Sequence, residues 1–298
     1  RAKADLDERL AADFAYQSDI AGRFRVNCYR HSRGLAAAFR IVSSEIRSLE
    51  ALGLPESLKA VISRPKGLTL VTGPTGSGKS TTLASMIHHV NETRKGHVIT
   101  LEDPIEFLHT YKQSVVTQRE IGTHAPTFAD GLRNALREDP DLIMVGEMRD
   151  TETISLALTA AETGVQVLGT LHTNGTVRCV DRIVNVFPAR KQDQIRAMLA
   201  ETLAMIVSQQ LVRLADGSQR TAAVEILINN HAAASMIRSG QSHKLSSVIQ
   251  AGGRLGMQNL DAVLMDLVRK GTITGEEAYE HAVDRTQFER YVACDQAA

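Results

Sequence analysis

The chain has 298 residues, which is more than one ordinary domain needs and predicts about two domains. Its 34 basic residues balance 34 acidic ones, which excludes an overall electrostatic attraction to nucleic acid or to an anionic membrane surface. No apolar run approaches the roughly 18 residues that a membrane-spanning helix needs, and three scattered cysteines exclude a disulfide framework, so we expect a cytoplasmic protein.

The first 45 residues predict part of a domain. Ala2–Phe14 has a helix-forming composition, and Phe24–Arg30 and Leu35–Val42 are β-like runs that a polar turn separates, as in a hairpin. A helix and two strands bury too little for an independent core, so we expect residues 1–45 to be the end of a larger N-terminal domain. Residues 46–66 predict an interdomain linker that ends in a short amphipathic helix.

The next stretch, Gly67–Leu83, combines a strand, a glycine-rich turn and the start of a helix. Gly73–Ser80 satisfies the phosphate-loop pattern of glycine, four residues, glycine, lysine, then serine or threonine. Only a loop nearly free of side chains brings backbone N–H groups close to a triphosphate, while Lys79 reaches the β- and γ-phosphates and Ser80 binds magnesium. The predicted ATP-binding residues are Gly73, Pro74, Thr75, Gly76, Ser77, Gly78, Lys79, Ser80 and Thr81. The alternative is a glycine-rich turn without a ligand.

Beyond this loop, strands alternate with helices, which predicts an α/β fold with a predominantly parallel sheet. The predicted strands are His97–Leu101, the apolar centre of Asp141–Glu147, and Val165–Leu171; the predicted helices are Lys79–Glu92, Phe128–Glu138 and Thr151–Glu162. Carboxylate or imidazole groups follow the strands, at Glu102, Glu147 and His172. Because α/β sheets place ligand-contacting groups beyond the carboxyl ends of their strands, we expect these side chains to gather around the phosphate loop.

These side chains match the needs of phosphoryl transfer to water. The reaction requires positioned phosphates, bound magnesium, an oriented water molecule and positive charge near the transition state. Glu102 and Glu147 are the acids available to hold the metal and activate water, and His172 is placed to contact the γ-phosphate. Taken singly, each acid could instead be a solvated loop carboxylate, and His172 could make only a structural hydrogen bond.

The last third of the chain predicts a long helix, a hairpin and then a helical region. Arg190–Leu211 has apolar residues at helical spacing, and Asp216-Gly217 is a hairpin signal between two β-like runs. Residues 231–298 predict helices, and the last of them begins at a capping box formed by Thr274 and Glu277.

Four of these motifs resemble a known family. Gly73–Ser80 (GPTGSGKS), Thr100–Glu106 (TLEDPIE), Asp141–Glu147 (DLIMVGE) and Gly169–Thr173 (GTLHT) are similar, in this order, to the Walker A motif, Asp box, Walker B motif and His box of the type II/IV secretion ATPases. The similarity extends over almost the whole chain and is strongest to the type IV pilus retraction ATPases, the PilT-like branch of the superfamily.

The resemblance implies a RecA-like ATPase core at residues 67–230, a helical C-terminal region at 231–298, and a truncated PAS-like N-terminal domain. ATP and Mg²⁺ would bind between the two domains, with Glu102 as general base and Glu147 as the Walker B glutamate and metal ligand. Which of the two glutamates polarises water stays open. It further implies a homohexamer that lies peripherally at the inner-membrane pilus machine, with a platform protein and a second retraction ATPase as partners, and with neither nucleic acid nor an integral membrane segment.

The same resemblance assigns two pairs of arginines to the site. Arg25 and Arg40 match arginines of the N-terminal domain that close onto the nucleotide, and Arg133 and Arg137 match a second, catalytic pair. The alternative for each arginine is a surface ion pair, which contributes little.

Two features bear on the branch of the family. Assembly and secretion motors commonly carry a four-cysteine metal insert, for which this chain lacks the cysteine pairs, and this favours retraction. Retraction motors typically carry the signature AIRNLIR after the hairpin, whereas Ala232–Arg238 reads AAASMIR, with Ala234 where an arginine is expected. Three alternatives stay open: a pilus-extension or secretion motor, a nucleotide-gated ring with little turnover, and a RecA-like nucleic-acid translocase, which balanced charge and few aromatic residues disfavour.

Overall fold

The computed structural model of the protein describes residues 2–20, 22–42 and 45–292. The N-terminal elements are helix α1 (Ala2–Arg9), strands β1 (Ala11–Ser18), β2 (Gly22–His31) and β3 (Gly34–Val42), and helix α2 (Glu56–Ile62). The central elements are β4 (Gly67–Thr72), α3 (Lys79–Thr93), β5 (Gly96–Glu102), β6 (Ser114–Glu120), α4 (Phe128–Ala135), β7 (Leu142–Val145), α5 (Thr151–Glu162), β8 (Gln166–Leu171), α6 (Thr176–Asn185) and α7 (Ala189–Thr202). The C-terminal elements are β9 (Leu203–Arg213), β10 (Arg220–Ile228), α8 (His231–Arg238), α9 (Leu245–Ala251), α10 (Leu260–Arg269), α11 (Gly275–His281) and α12 (Glu289–Val292).

The strands of the described residues form two sheets. Strands β1, β2 and β3 make a small antiparallel sheet, and the other seven lie in the order β10-β9-β4-β8-β7-β5-β6. Strand β10 pairs antiparallel with β9, and the remaining pairs of the large sheet are parallel. The predicted α/β fold with a predominantly parallel sheet is therefore confirmed. Among the described helices, none combines the length and the apolar character that crossing a membrane requires.

The large sheet lies in the core because its central strands are continuous runs of apolar residues. Every residue of β7 and of β8 is buried, as expected for parallel strands that helices cover on both faces. The main core contains the apolar residues of these strands and of α2, α3 and α5. A second, smaller cluster forms under α10 and α11 around Leu264 and Phe288. The carboxyl ends of the parallel strands consequently lie along one edge of the sheet, where the predicted functional residues follow them.

Both predicted hairpins are present, as β2–β3 and as β9–β10. Half of the predicted capping box is present: the Thr274 side chain accepts a hydrogen bond from the Glu277 backbone N–H at 3.1 Å, whereas the Glu277 carboxylate accepts from the Arg213 N–H at 2.7 Å. Cys28 and Cys179 are free thiols, and Cys294 lies outside the described residues. The division into residues 1–45, 46–66, 67–230 and 231–298 stays a prediction.

Two predicted helices are wrong in part. The helix expected at Ala2–Phe14 ends at Arg9, because Leu10 has a φ of 62°, and the chain continues as β1 paired with β2. The helix expected at Arg190–Leu211 ends at Thr202, and β9 follows directly. The first seven residues of β9 are buried between β4 and β10, and such a short apolar run does not distinguish a buried strand from a buried helix.

Candidate nucleotide-binding site

The predicted phosphate loop joins β4 to α3 at the carboxyl end of the sheet. Gly73 is sterically required, because a Cβ atom there would collide with the main-chain oxygen of Gln209 and with Ser77 Oγ. Gly78 has a φ of 86°, a conformation that favours glycine, and it precedes α3 without any side-chain cap. The first N–H groups of α3 therefore remain available to an anion.

Lys79, the loop lysine, is buried and folds back over the loop. Its Nζ donates hydrogen bonds to the carbonyl oxygens of Gly73 at 3.0 Å and Pro74 at 2.9 Å. Burial lowers the pKa of Lys79, and the nearby carboxylates of Glu147 and Glu106 oppose that shift. The lysine is thus held where phosphates would lie, facing the two acids that favour its charged form.

Glu102, the last residue of β5, is partly buried and receives hydrogen bonds from neutral donors. Its Oε1 accepts from Thr100 Oγ1 at 2.6 Å and from Gln118 Nε2 at 3.1 Å. Burial raises the pKa of Glu102, and the hydrogen bonds from Thr100 and Gln118 counteract part of that effect. The carboxylate is therefore fixed in orientation and is a better proton acceptor than a solvated glutamate.

Glu147 lies beyond the end of β7 and contacts two basic side chains. Its Oε1 is 3.0 Å from His172 Nε2 and also pairs with Arg149 Nε. The backbone of Gly146, the residue before Glu147, is bonded to both neighbouring strands. Its N–H donates to the Leu101 carbonyl of β5 at 2.7 Å, and its carbonyl accepts from Thr170 Oγ1 of β8 at 2.5 Å.

A cavity of about 700 Å³ opens in front of the phosphate loop. Glu102, Glu147 and His172 line it together with Lys79 and Ser80, so the structure brings the predicted strand-end side chains and the predicted metal ligands together. The other predicted loop residues on its wall are Thr75, Gly76, Gly78 and Thr81, whereas Gly73, Pro74 and Ser77 do not line it. Apolar side chains of α3, including Leu83 and Ile87, complete one wall.

The small N-terminal sheet covers this cavity. Arg25 on β2 and Arg40 on β3 are register partners, and both line the cavity. Arg25 Nη1 lies 3.8 Å from Glu106 Oε1, and the Arg23 guanidinium donates to the Ile105 carbonyl at 2.9 and 3.2 Å. These contacts hold the sheet against the loop that follows β5.

The second predicted arginine pair lies elsewhere. Arg133 on α4 pairs with Asp130 and Glu152 on the protein surface, and Arg137 is exposed just past the end of α4. Neither residue lines the cavity of its own chain.

Three residues near the loop are missed by the sequence prediction. Arg149 and Arg220 both line the cavity, and Gln209 contacts the phosphate loop from β9. Arg149 could have been found from its position two residues after Glu147, beyond the same strand end. Arg220 and Gln209 belong to the β9–β10 hairpin, which is distant in sequence from the loop and carries no motif pointing to it.

Together, the parallel sheet, the phosphate loop and the strand-end acids define a P-loop nucleotide-binding protein. The family model of the type II/IV secretion system proteins matches residues 4–293, and the chain belongs to that family. The family predicted from the four motifs is thus confirmed.

Individual relatives are similar over most of the chain. A twitching motility protein of Neisseria gonorrhoeae is 50% identical over 275 residues, which are 92% of this chain and 74% of that protein. The type IV pilus retraction ATPase PilT of Pseudomonas aeruginosa is 49% identical over 280 residues, 94% of this chain and 81% of that protein. Among solved structures, the pilus retraction motor PilT with bound ADP superposes with a TM-score of 0.90 at 45% identity, covering 97% of this chain and 82% of that one.

Proposed function

We propose that this chain is a motor ATPase that hydrolyses ATP and powers the retraction of type IV pili. The observation that carries the proposal is the convergence of Glu102, Glu147 and His172 on the cavity that contains Lys79. The relatives named for twitching motility and for pilus retraction support the choice of task. The predicted enzyme class and the predicted task both agree with these names.

The residues of the cavity fit a magnesium nucleotide. The volume of the cavity lies within the roughly 300–1,000 Å³ that is typical of small-molecule sites. The uncapped start of α3 and the ammonium group of Lys79 are suited to bind phosphates. Ser80 and Glu147 would hold Mg²⁺, with hydroxyl and carboxylate oxygens of the kind that this ion prefers. When bound, the ion neutralises charge on the β- and γ-phosphates.

The side chains of this chain divide the remaining work. Glu102 accepts the proton of the attacking water, because burial raises its pKa and its hydrogen bonds come from neutral donors. Glu147 is engaged by His172 and Arg149, which suits a metal ligand better than a base. The arginines Arg25 and Arg40 line the cavity and supply positive charge to the phosphates, and His172, which also lines it, contacts the γ-phosphate.

The assembly is part of the proposal. Residues 1–45 and 67–230 act as two domains around the nucleotide, with 46–66 as their linker and 231–298 as a helical region. Six chains form a ring, and Arg133 and Arg137 act from its surface toward a neighbouring subunit, because both are exposed and lie away from their own cavity. The ring works in the cytoplasm on an inner-membrane platform protein, together with a second retraction ATPase.

Phosphate release by the purified protein tests the chemistry. We expect steady ATP hydrolysis that Lys79→Ala abolishes, because that change removes the ammonium that holds the phosphates. Hydrolysis that persists in this variant would contradict the assigned site.

A deletion strain tests the task. Loss of twitching with surface pili retained, restored by the wild-type chain but not by Lys79→Ala, supports retraction. Loss of surface pili would instead support an extension motor, the second candidate, which the departure at Ala234 favours because the retraction signature has an arginine there. Salt-sensitive stimulation of hydrolysis by DNA would indicate a nucleic-acid translocase.

A further inference from the structure

Gln209, a buried glutamine on β9, bridges two parts of the nucleotide site without lining the cavity. It is 3% exposed, and both polar atoms of its amide are used. Nε2 donates to the Ser77 carbonyl at 2.7 Å, and Oε1 accepts from Thr82 Oγ1 at 2.8 Å. Ser77 belongs to the phosphate loop and Thr82 to the first turn of α3, so one side chain fixes the loop relative to its helix.

The loop glycines fit closely around this glutamine. A Cβ atom at Gly78 would lie 2.8 Å from Gln209 Nε2, and one at Gly73 would collide with the Gln209 main-chain oxygen. Both glycines are therefore required by the position of β9 as well as by the phosphates. The loop and Gln209 form one packed unit.

Ser208, which precedes Gln209 on β9, contacts the loop that follows β8. Ser208 Oγ accepts from the Gly175 N–H at 2.8 Å, in the loop that carries His172. Because consecutive strand residues point to opposite faces, Ser208 and Gln209 reach different loops from a single strand. Strand β9 thereby holds the relative position of the phosphate loop and the His172 loop.

We propose that Gln209 is a positioning residue that holds the phosphate loop in its nucleotide-binding conformation; this proposal rests on the proposed function. Without the amide, the buried Ser77 carbonyl loses its donor and the loop populates other conformations. The apparent affinity for a ligand falls in proportion to the fraction of binding-competent protein. ADP and ATP bind the same loop, so both affinities fall by the same factor.

Gln209→Met tests this proposal, because methionine has a similar length and lacks both hydrogen bonds. We expect the Kd values of ADP and of a non-hydrolysable ATP analogue to rise about tenfold, because both buried hydrogen bonds of the amide are lost. We expect kcat at saturating ATP to change by less than about threefold, since the bound nucleotide restores the loop. Exchange of the loop amides of residues 73–80 should be faster in nucleotide-free Gln209→Met than in the wild type.

Gln166→Met is the matched control. Gln166 is likewise a buried glutamine that donates to a backbone carbonyl, that of Ile62 at 2.8 Å, but it lies at the opposite end of the sheet. The Gln166→Met substitution should leave the Kd values of ADP and of the ATP analogue unchanged. Equal weakening by the two substitutions, or Gln209→Met binding ADP within twofold of the wild type, overturns the proposal.

Thr82→Val supplies a second, milder test, and as a single substitution it does not depend on the folding of Gln209→Met. It removes the Thr82 donor and should weaken ADP binding about threefold, with no further effect in the Gln209→Met background. Additive effects would overturn the idea of a single unit. A wild-type chain that binds nucleotide but does not hydrolyse it would refute the proposed function and leave these binding tests intact.

Discussion

Replacing Glu102 by glutamine tests the assignment of the general base with little disturbance of the fold. The carboxylate Oε1 accepts from Thr100 Oγ1 at 2.6 Å and from Gln118 Nε2 at 3.1 Å, and an amide oxygen in the same place can accept both bonds. The substitution thus keeps these two bonds while it removes the proton acceptor. A general base contributes about 10²- to 10⁴-fold to the rate, or about 3 to 5 kcal/mol of activation free energy, and we expect kcat to fall by that factor.

The pKa of Glu102 gives this prediction a second signature, in stability. Burial raises that pKa above its ordinary value of 4.5, so the folded state favours the protonated form. Protonation of Glu102 therefore stabilises the fold at pH values below the ordinary pKa, and this stabilisation is lost as the pH rises through the raised pKa of the folded state. Because glutamine does not ionise, Glu102→Gln should melt at the same or a higher temperature than the wild type near pH 8. Any such gain should shrink toward pH 4.

Phosphate release at saturating ATP, nucleotide titration and thermal melting measure these effects together. Glu120→Gln is the control, because Glu120 ends β6 beside Glu102 in register yet does not line the cavity. We expect the control to keep kcat within twofold and Glu102→Gln to keep its affinity for ADP. Retention of more than a tenth of the wild-type kcat by Glu102→Gln, or loss of ADP binding, would refute the role of Glu102 as base.

Two further substitutions probe the loop and the covering sheet. Gly73→Ala should weaken ADP binding more than about tenfold, because the added Cβ atom collides with the Gln209 carbonyl. Gly253→Ala is the control, because a Cβ atom at Gly253 has no neighbour within 4 Å. Equal ADP affinities of the two variants in a nucleotide titration would contradict this prediction. Arg40→Ala should raise the KM for ATP about threefold to tenfold with a smaller change in kcat, since Arg40 lines the cavity. Steady-state kinetics beside Arg33→Ala, a change in the turn of the same hairpin, would reveal whether surface charge alone explains the effect.

The strand-end residues of the site are predictable because local sequence determines them. An apolar run such as Leu142–Val145 is buried on both faces, which requires a central parallel strand, and the next polar side chain then lies at the ligand-binding edge of the sheet. The same reasoning places Glu102 and His172. Arg25 and Arg40 needed the family resemblance, because nothing in their own hairpin indicates that it covers a nucleotide cavity.

Gln209 escaped prediction for a reason that follows from the element assigned to it. On the helix expected at Arg190–Leu211, Ser208 and Gln209 would lie about 100° apart around the axis, and neither would be tied to the phosphate loop. On β9 they point to opposite faces, and pairing with β4 in the register Thr72↔Ser208 places both at the height where β4 enters the loop. The mistaken helix and the missed residue are therefore one error. The pattern of apolar residues indicates which residues are buried. The neighbours of a buried amide depend instead on which strand pairs beside it, and this pairing joins parts of the chain that are distant in sequence. Ser77 and Gln209, for example, are 132 residues apart.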